Sequence, residues 1–517
     1  MKNSKFTTFI HHFCESVIKY IGLFLLILLA FLTTLFQSSV SFHWTEVCTI
    51  NTNGIKFFIL LILGLWLLVI IQKLLERIPE TAMITAFSIL YLAAGFFCIA
   101  HMEFEIGDDP LACYNTAFYF FNGNYSEIYP GSYLYRVPHQ LGLMVYDQLL
   151  MHISTSKKFI CQLNIIWIVI SNILIWLTSR MIYDNSAQIR KNIILLSYAF
   201  LPGFFFLFFA YGTVPGFVCL LAAAFFTVRA IKKHSSLCMI CSWIFVALSC
   251  ILKKNFLIGG IALLLVYLLY LLKEKRFLYG IGILGIIFSL IVPGKLLLNH
   301  YETLTETPLT NGMPSTLYIA MGLQENVNDW CAFGWYNHYN DNTYNSVNYN
   351  PEAASEIAVA SIIDRLTTFA SDPAYAFMFF REKVITTWCE PMFQSIWSGP
   401  RIDKGSTTDI GILENIYSGG NLFHLMASTM NVLVTGIFLF SAIFLFQKTF
   451  VRKEMLNSLE LFCVLYFIGG FLFHFVWETK SQYVYPYVIT LIPLAANGMQ
   501  LAWSWVTTFC FRRKFTK

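Results

Sequence analysis

KKNFLIGGIALLLVYLLYLLKEKR, residues 253–276, sets an uncharged apolar run between a lysine pair and a cluster holding Lys273, Lys275 and Arg276. The run over 255–272 has the length of a membrane helix, since about 30 Å of hydrocarbon at 1.5 Å per residue takes roughly twenty residues. The flanks give it a direction, because cytoplasmic connectors are the ones enriched in Lys and Arg. Runs of the same kind lie near 17–37, 55–75, 82–101, 159–179, 192–210, 213–230, 236–252, 277–297, 424–447, 457–477 and 483–506. Composition agrees: 57% of the 517 residues are apolar and 12% charged, with mean hydropathy +0.63. A soluble chain would carry roughly a quarter charged residues. The expected fold class is therefore an all-α polytopic membrane protein with about twelve transmembrane helices.

Alternate connectors carry the basic residues: Lys73 and Arg77; Arg180, Arg190 and Lys191; Arg229, Lys232 and Lys233; Lys448, Arg452 and Lys453. The tail adds Arg512, Arg513, Lys514 and Lys517. With twelve spans every such connector faces in, which places both termini in the cytoplasm. The first run is too long for a cleaved signal peptide and lacks a small-residue cleavage site. Four sections follow: two N-terminal spans over 1–81, a core over 82–297 that includes an outer loop at 102–158, a large outer segment over 298–423, and three spans with a basic tail over 424–517. Connections beyond about fifteen residues are usually functional or disordered, and both outer segments are rich in aromatics. Residues 137–153 and 374–388 read as helices at the outer interface, the former alternatively as a thirteenth span.

Four clusters could carry chemistry. HMEFEIGDDPLACYNTA, residues 101–117, puts Asp108 and Asp109 at the outer end of a span, where Pro110 is expected to stop the helix. An acidic outer loop is the plainer reading. YPGSYLYRVPHQLG, residues 129–142, surrounds Arg136 with Tyr135, His139 and Gln140, a rigid aromatic turn suited to a sugar or phosphate or simply to a membrane interface. FHFVWETKSQYVYPY, residues 473–487, spaces His474 and Glu478 as neighbours on a helix face, with Lys480 and Tyr483 in the turn beyond; Glu478 with Lys480 could be a surface ion pair. Lys253 and Lys254 sit at an outer end, where lysines are disfavoured, and point to an anion or to snorkelling. Of the thirteen cysteines most lie in apolar runs; Cys48, Cys113, Cys331 and Cys389 fall in outer segments and could pair. Motifs for phosphate loops, dinucleotides, zinc proteolysis and serine hydrolysis are absent from the sequence.

Together, DDPLACYNTAFYFFNGNYS, YLYRVPHQLG, WETKSQYVYPYVITLIPLAANG and REKVITTWCEPMF resemble the C-type membrane glycosyltransferases, in particular bacterial relatives of protein O-mannosyltransferases and of the lipid A aminoarabinose transferase. The resemblance runs over roughly 82–272 and 374–500. Two departures stand out: two extra spans precede the acidic loop, and Lys480 and Gln482 stand where many relatives have Arg. The resemblance implies transfer of a sugar from a polyprenyl-phosphate donor to a cell-envelope glycan, lipid or protein on the outer face, with inversion. It implies Asp109 as base, with Asp108 behind it. Arg136, Lys254 and Lys480 would contact the phosphate, beside Tyr135, His139, Gln140, Glu478 and Tyr483. No cofactor or nucleic acid is expected, although the two aspartates leave room for one Mg²⁺ or Mn²⁺. High Asn, Lys, Ile and Phe usage suggests an AT-rich bacterial genome. A polysaccharide polymerase and a lipid-linked sugar carrier are the alternatives. The first would favour Arg-rich outer loops, and the second would need ionisable residues near the middle of the membrane.

Overall fold

The computed structural model describes residues 2–42, 46–309, 312–325 and 332–512. Cys331, Arg513, Lys514 and Lys517 lie outside them, as do the side chains of Lys73, Cys510 and Arg512. The chain is 77% helical and forms a polytopic membrane protein. A lipid-exposed backbone must satisfy its own hydrogen bonds, which is why apolar runs of this length become helices. Among the described residues nine helices are long and apolar enough to cross a membrane, the N-terminal one running Lys2–Leu35. A tenth is possible by joining Ala187–Ala199 to Leu201–Phe208 across a 51° bend. Pro202 sits just past that bend and cannot donate to the preceding turn. Asn164 meets the carbonyls of Leu207 and Phe209 at 3.1 and 3.2 Å. The other two expected spans are helical but shorter or interrupted: Ser236–Leu252 has seventeen residues, and Ser481–Thr490 breaks from Ile492–Arg512 at Leu491.

The two ends of the bundle differ. At one, Arg190 and Arg180 meet Glu80 at 2.7 and 3.9 Å, and Lys448 meets Glu460 at 2.8 Å. At the other, connectors gather into a cap. A hairpin of β1 (Phe36–Val40) and β2 (Cys48–Thr52) follows the first span and is tied down by Ser38 N–H donating to Cys389 O at 2.9 Å. The two-residue strands β3 (Met102–Glu103) and β4 (Thr407–Thr408) join the segments 102–158 and 298–423. Helices Ser315–Gly322, Tyr339–Ser346, Pro351–Ser371 and Pro373–Trp388 complete the cap around a small core that includes Leu317, Tyr344 and Ala354.

Within the stretch 137–153, the helix Leu141–Met151 has eleven residues, about 16 Å at 1.5 Å per residue, too short to be a thirteenth span. It is also more deeply packed than an interfacial helix. Leu141, Leu143, Met144 and Met151 are buried, and a Cβ on Gly142 would stand 2.1 Å from the Ile251 carbonyl. Pro110 starts a helix rather than stopping one: it occupies the first turn of Asp108–Phe121, where its missing N–H has no partner to lose. The helix carrying His474 ends at Val476, and Trp477 is extended (φ −74°, ψ 160°), so His474 and Glu478 do not share a helix face. The eleven described cysteines are free thiols.

Candidate functional site

Where the cap meets the bundle lies a cavity of about 1990 Å³, larger than the roughly 300–1,000 Å³ of a usual small-molecule pocket. Nine of the ten candidate residues line it, drawn from every polar cluster read in the sequence: Asp108, Asp109, Arg136, His139, Gln140, Lys254, Glu478, Lys480 and Tyr483. The tenth, Tyr135, is not in the wall; its ring meets Tyr349 edge-on at 6.1 Å. Part of the wall is apolar and comes from helix ends, with Leu257, Ile258, Leu298, Phe473 and Trp477.

The two aspartates part company at a helix start. Gly107 precedes the helix and Asp108 takes φ +49°. Asp108 stays exposed and faces Lys404 at 3.8 Å. Asp109 opens into the cavity at the positive end of the helix, which favours a carboxylate. Its pKa is nevertheless raised, chiefly because the surrounding protein displaces water. Lys253, Lys480 and the Tyr133 hydroxyl act to lower it, and Asp108 adds to the rise. Among the described residues no group of three or more His, Cys, Asp or Glu side chains is placed to hold a metal ion.

Of the lysine pair, Lys254 is exposed at the wall and Lys253 is buried. The Lys253 ammonium lies 3.3 Å from the centre of the Tyr211 ring, and among the described residues no carboxylate is within ion-pair distance of it. Burial pulls its pKa down to about 7, against the attraction of Asp109. Tyr211 is held in turn by the Gln140 amide and by the Tyr133 hydroxyl at 3.4 Å. Because Lys253 and Lys254 are adjacent at a helix end, sequence alone could not say which one turns inward. The break into extended backbone at Lys253 (φ −154°, ψ 112°) decides it.

Glu478 and Lys480 do not form a surface ion pair. Lys480 instead meets Glu46, which enters from the connector of the β1–β2 hairpin, at 2.5 Å. Burial opposes the Lys480 charge, but Glu46 and Glu478 outweigh it and raise the pKa. Glu478 is buried, with its N–H on Tyr318 O at 3.0 Å and the Tyr483 hydroxyl 3.5 Å from its carboxylate. Burial lifts its pKa to about 7 despite Lys480. Arg136 is engaged by Asp341, which also accepts from Tyr336 at 2.7 Å. His139 is driven down to about 3 by burial and then by Lys254 and Lys253, so it is a neutral hydrogen-bonding group. Sequence reasoning missed Glu46, Asp341, Tyr133 and Tyr211. Each lies far along the chain from the residue it serves, and no spacing rule links them. No family model matches the chain, and no curated protein matches it at a significant level.

Proposed function

We propose that this chain is a membrane glycosyltransferase that moves a sugar from a polyprenyl-phosphate donor to a hydroxyl acceptor in the cavity at the outer membrane face. The observation that carries the reading is the meeting, in one cavity with an apolar flank, of the Asp109 carboxylate with the ammonium groups of Lys253 and Lys480. The basic connectors lie at the far end of the bundle, which by the positive-inside rule turns the cavity outward, with both termini in the cytoplasm. Outside the membrane a nucleotide sugar is not at hand, whereas a lipid-phosphate sugar already carries its leaving group and needs no acid at the departing oxygen.

In this reading Asp109 takes the proton of the acceptor hydroxyl as its oxygen attacks the anomeric carbon. The bond to phosphate oxygen breaks on the opposite side, and the configuration inverts. A base so placed contributes about 10²–10⁴ in rate. Lys253 and Lys480 stabilise the charge growing on the departing phosphate. Arg136 lines the same cavity and is held by Asp341. The carrier alternative loses support because the cavity charges collect at one end of the bundle. The test is transfer from a panel of radiolabelled polyprenyl-phosphate sugars in membranes carrying wild type or Asp109→Asn. Label reaching an envelope glycan, lipid or protein in wild type and lost in the variant is expected. Absence of transfer from every donor would overturn the reading.

A further inference from the structure

Glu46 is 6% exposed, although it belongs to the connector of a two-stranded hairpin. One carboxylate oxygen meets the Lys480 ammonium at 2.5 Å, and the other accepts from the Gln394 amide at 3.3 Å. Lys480 lies 5.2 Å from the centre of the Tyr336 ring, so its charge is held between a carboxylate and an aromatic face on the cavity wall. The hairpin is anchored beside it, with Trp397 Nε1–H donating to Ser41 O at 3.2 Å.

The charges around this point are matched without a guest. Three lysines, Lys253, Lys383 and Lys480, face three carboxylates, Asp109, Glu46 and Glu478. An entering anion adds an unmatched negative charge to that set unless a carboxylate gives way. Asp109 opens a rigid helix, and Glu478 is fixed through its backbone to Tyr318. Among the described residues Glu46 alone of the three has a side-chain amide partner, Gln394, to which it can retreat. We infer that Glu46 is an internal stand-in for a substrate anion: it occupies Lys480 in the empty cavity and yields it to an incoming phosphate mono- or diester. The incoming oxygens then take Lys480 and the unpaired Lys253 together, while Glu46 remains on Gln394. The identity of the anion rests on the transferase reading; the exchange itself does not.

The exchange is coupled to protons. Glu478 faces Lys480, Glu46, Lys383 and Lys253, and Lys253 faces Asp109, Cys113 and Glu478, with His139 and Lys254 nearby. Both Glu478 and Lys253 titrate near 7. As pH falls through that range Glu478 gives up its negative charge and Lys253 takes up its positive one, which favours an anion of constant charge such as a phosphate diester. A monoester or inorganic phosphate itself takes up a proton near the same pH, which opposes the gain.

The experiment is titration of full-length protein in detergent with inorganic phosphate and, separately, with a polyprenyl monophosphate, for wild type, Glu46→Gln, Lys480→Met and the double variant. Glu46→Gln is expected to tighten binding by at least about tenfold, the lower end of what a close, desolvated charge pair contributes. In the Lys480→Met background that gain disappears. A gain for both ligands assigns the station to phosphate itself, and a gain for the lipid alone assigns it to a lipid headgroup. Unchanged or weaker binding of both by a folded Glu46→Gln overturns the inference. Should that variant not fold, Gln394→Ala removes the retreat and is expected to weaken binding; unchanged affinity there overturns it equally. Because these are binding measurements, a failure to transfer sugar beside an intact Glu46→Gln gain would sink the transferase reading alone.

Discussion

Neutralising Asp109 and Asp108 one at a time separates a base from a bystander. Asparagine keeps the shape of either side chain, and at 109 its carbonyl still accepts from Tyr133, so Asp109→Asn leaves the wall intact. What it removes is the proton acceptor, worth about 10²–10⁴ in rate, or roughly 3–5 kcal/mol of barrier. Asp108 differs: its side chain is 76% exposed and 3.8 Å from Lys404. An exposed ion pair is worth about 0–1 kcal/mol, so Asp108→Asn costs less than about fivefold. It also removes a negative charge that raises the pKa of Asp109. The acidic limb of the pH profile therefore moves to lower pH. The assay is transfer of radiolabelled sugar in membranes, normalised to the amount of protein, from pH 4 to 9. Loss of transfer in Asp108→Asn with retention in Asp109→Asn would refute the assignment, and full transfer in both would refute base catalysis at this helix.

Three further outcomes are expected. Lys253→Met should lower transfer, move the acidic limb to higher pH because the first charge holding Asp109 down is gone, and abolish an alkaline limb near 7, whereas the exposed Lys254→Met should change the pH profile little. Glu460→Gln, at the opposite end, should lower the thermal midpoint in detergent, because Glu460 is 1% exposed and joins Lys448 at 2.8 Å, Tyr183 at 3.2 Å and the Asn457 N–H at 3.0 Å; breaking such a pair costs about 3 kcal/mol. Gly212→Ala puts a Cβ 1.9 Å from the Leu252 carbonyl, the residue before Lys253, and should cost about 1–3 kcal/mol while impairing transfer; an unchanged midpoint and rate would show that the neighbouring helix gives way freely.

The helices were legible because a membrane span writes itself locally: length and apolarity decide it without reference to the rest of the chain. The residues of the cavity were legible for a related reason, since charge at the end of a span is costly enough to stand out. Partnership was not legible. Lys480 reads naturally with Glu478, two residues away, yet its carboxylate comes from the first connector of the chain. The hairpin that delivers it left a faint trace in the Thr- and β-branched residues of CTINT, too short to register beside the long apolar runs. Pro110 failed as a stop signal because the same missing N–H that breaks a helix interior is harmless in a first turn.

The two ends of the bundle bury charge in different ways, and the difference argues for what each does. At the basic end, buried carboxylates sit against lysines and backbone N–H groups. Glu15 accepts from Leu456 N–H at 2.6 Å and faces Lys19 at 3.6 Å, and Glu460 caps the start of its own helix while holding Lys448. These groups clamp the 452–457 connector to the first span, a structural task. In the cavity the partners are incomplete among the described residues: Lys253 rests on a ring instead of a carboxylate, and the Glu478 carboxylate meets the Tyr483 hydroxyl at 3.5 Å. Taking an ion out of water costs several kcal/mol, and apolar residues of similar size would hold the fold as well or better. A fold that needed only stability would not leave such groups half-paired around 1990 Å³ of open space. On the proposed reading, Lys253 finds its missing partner in the anionic part of a substrate, and Glu478 stands close enough to respond to its arrival.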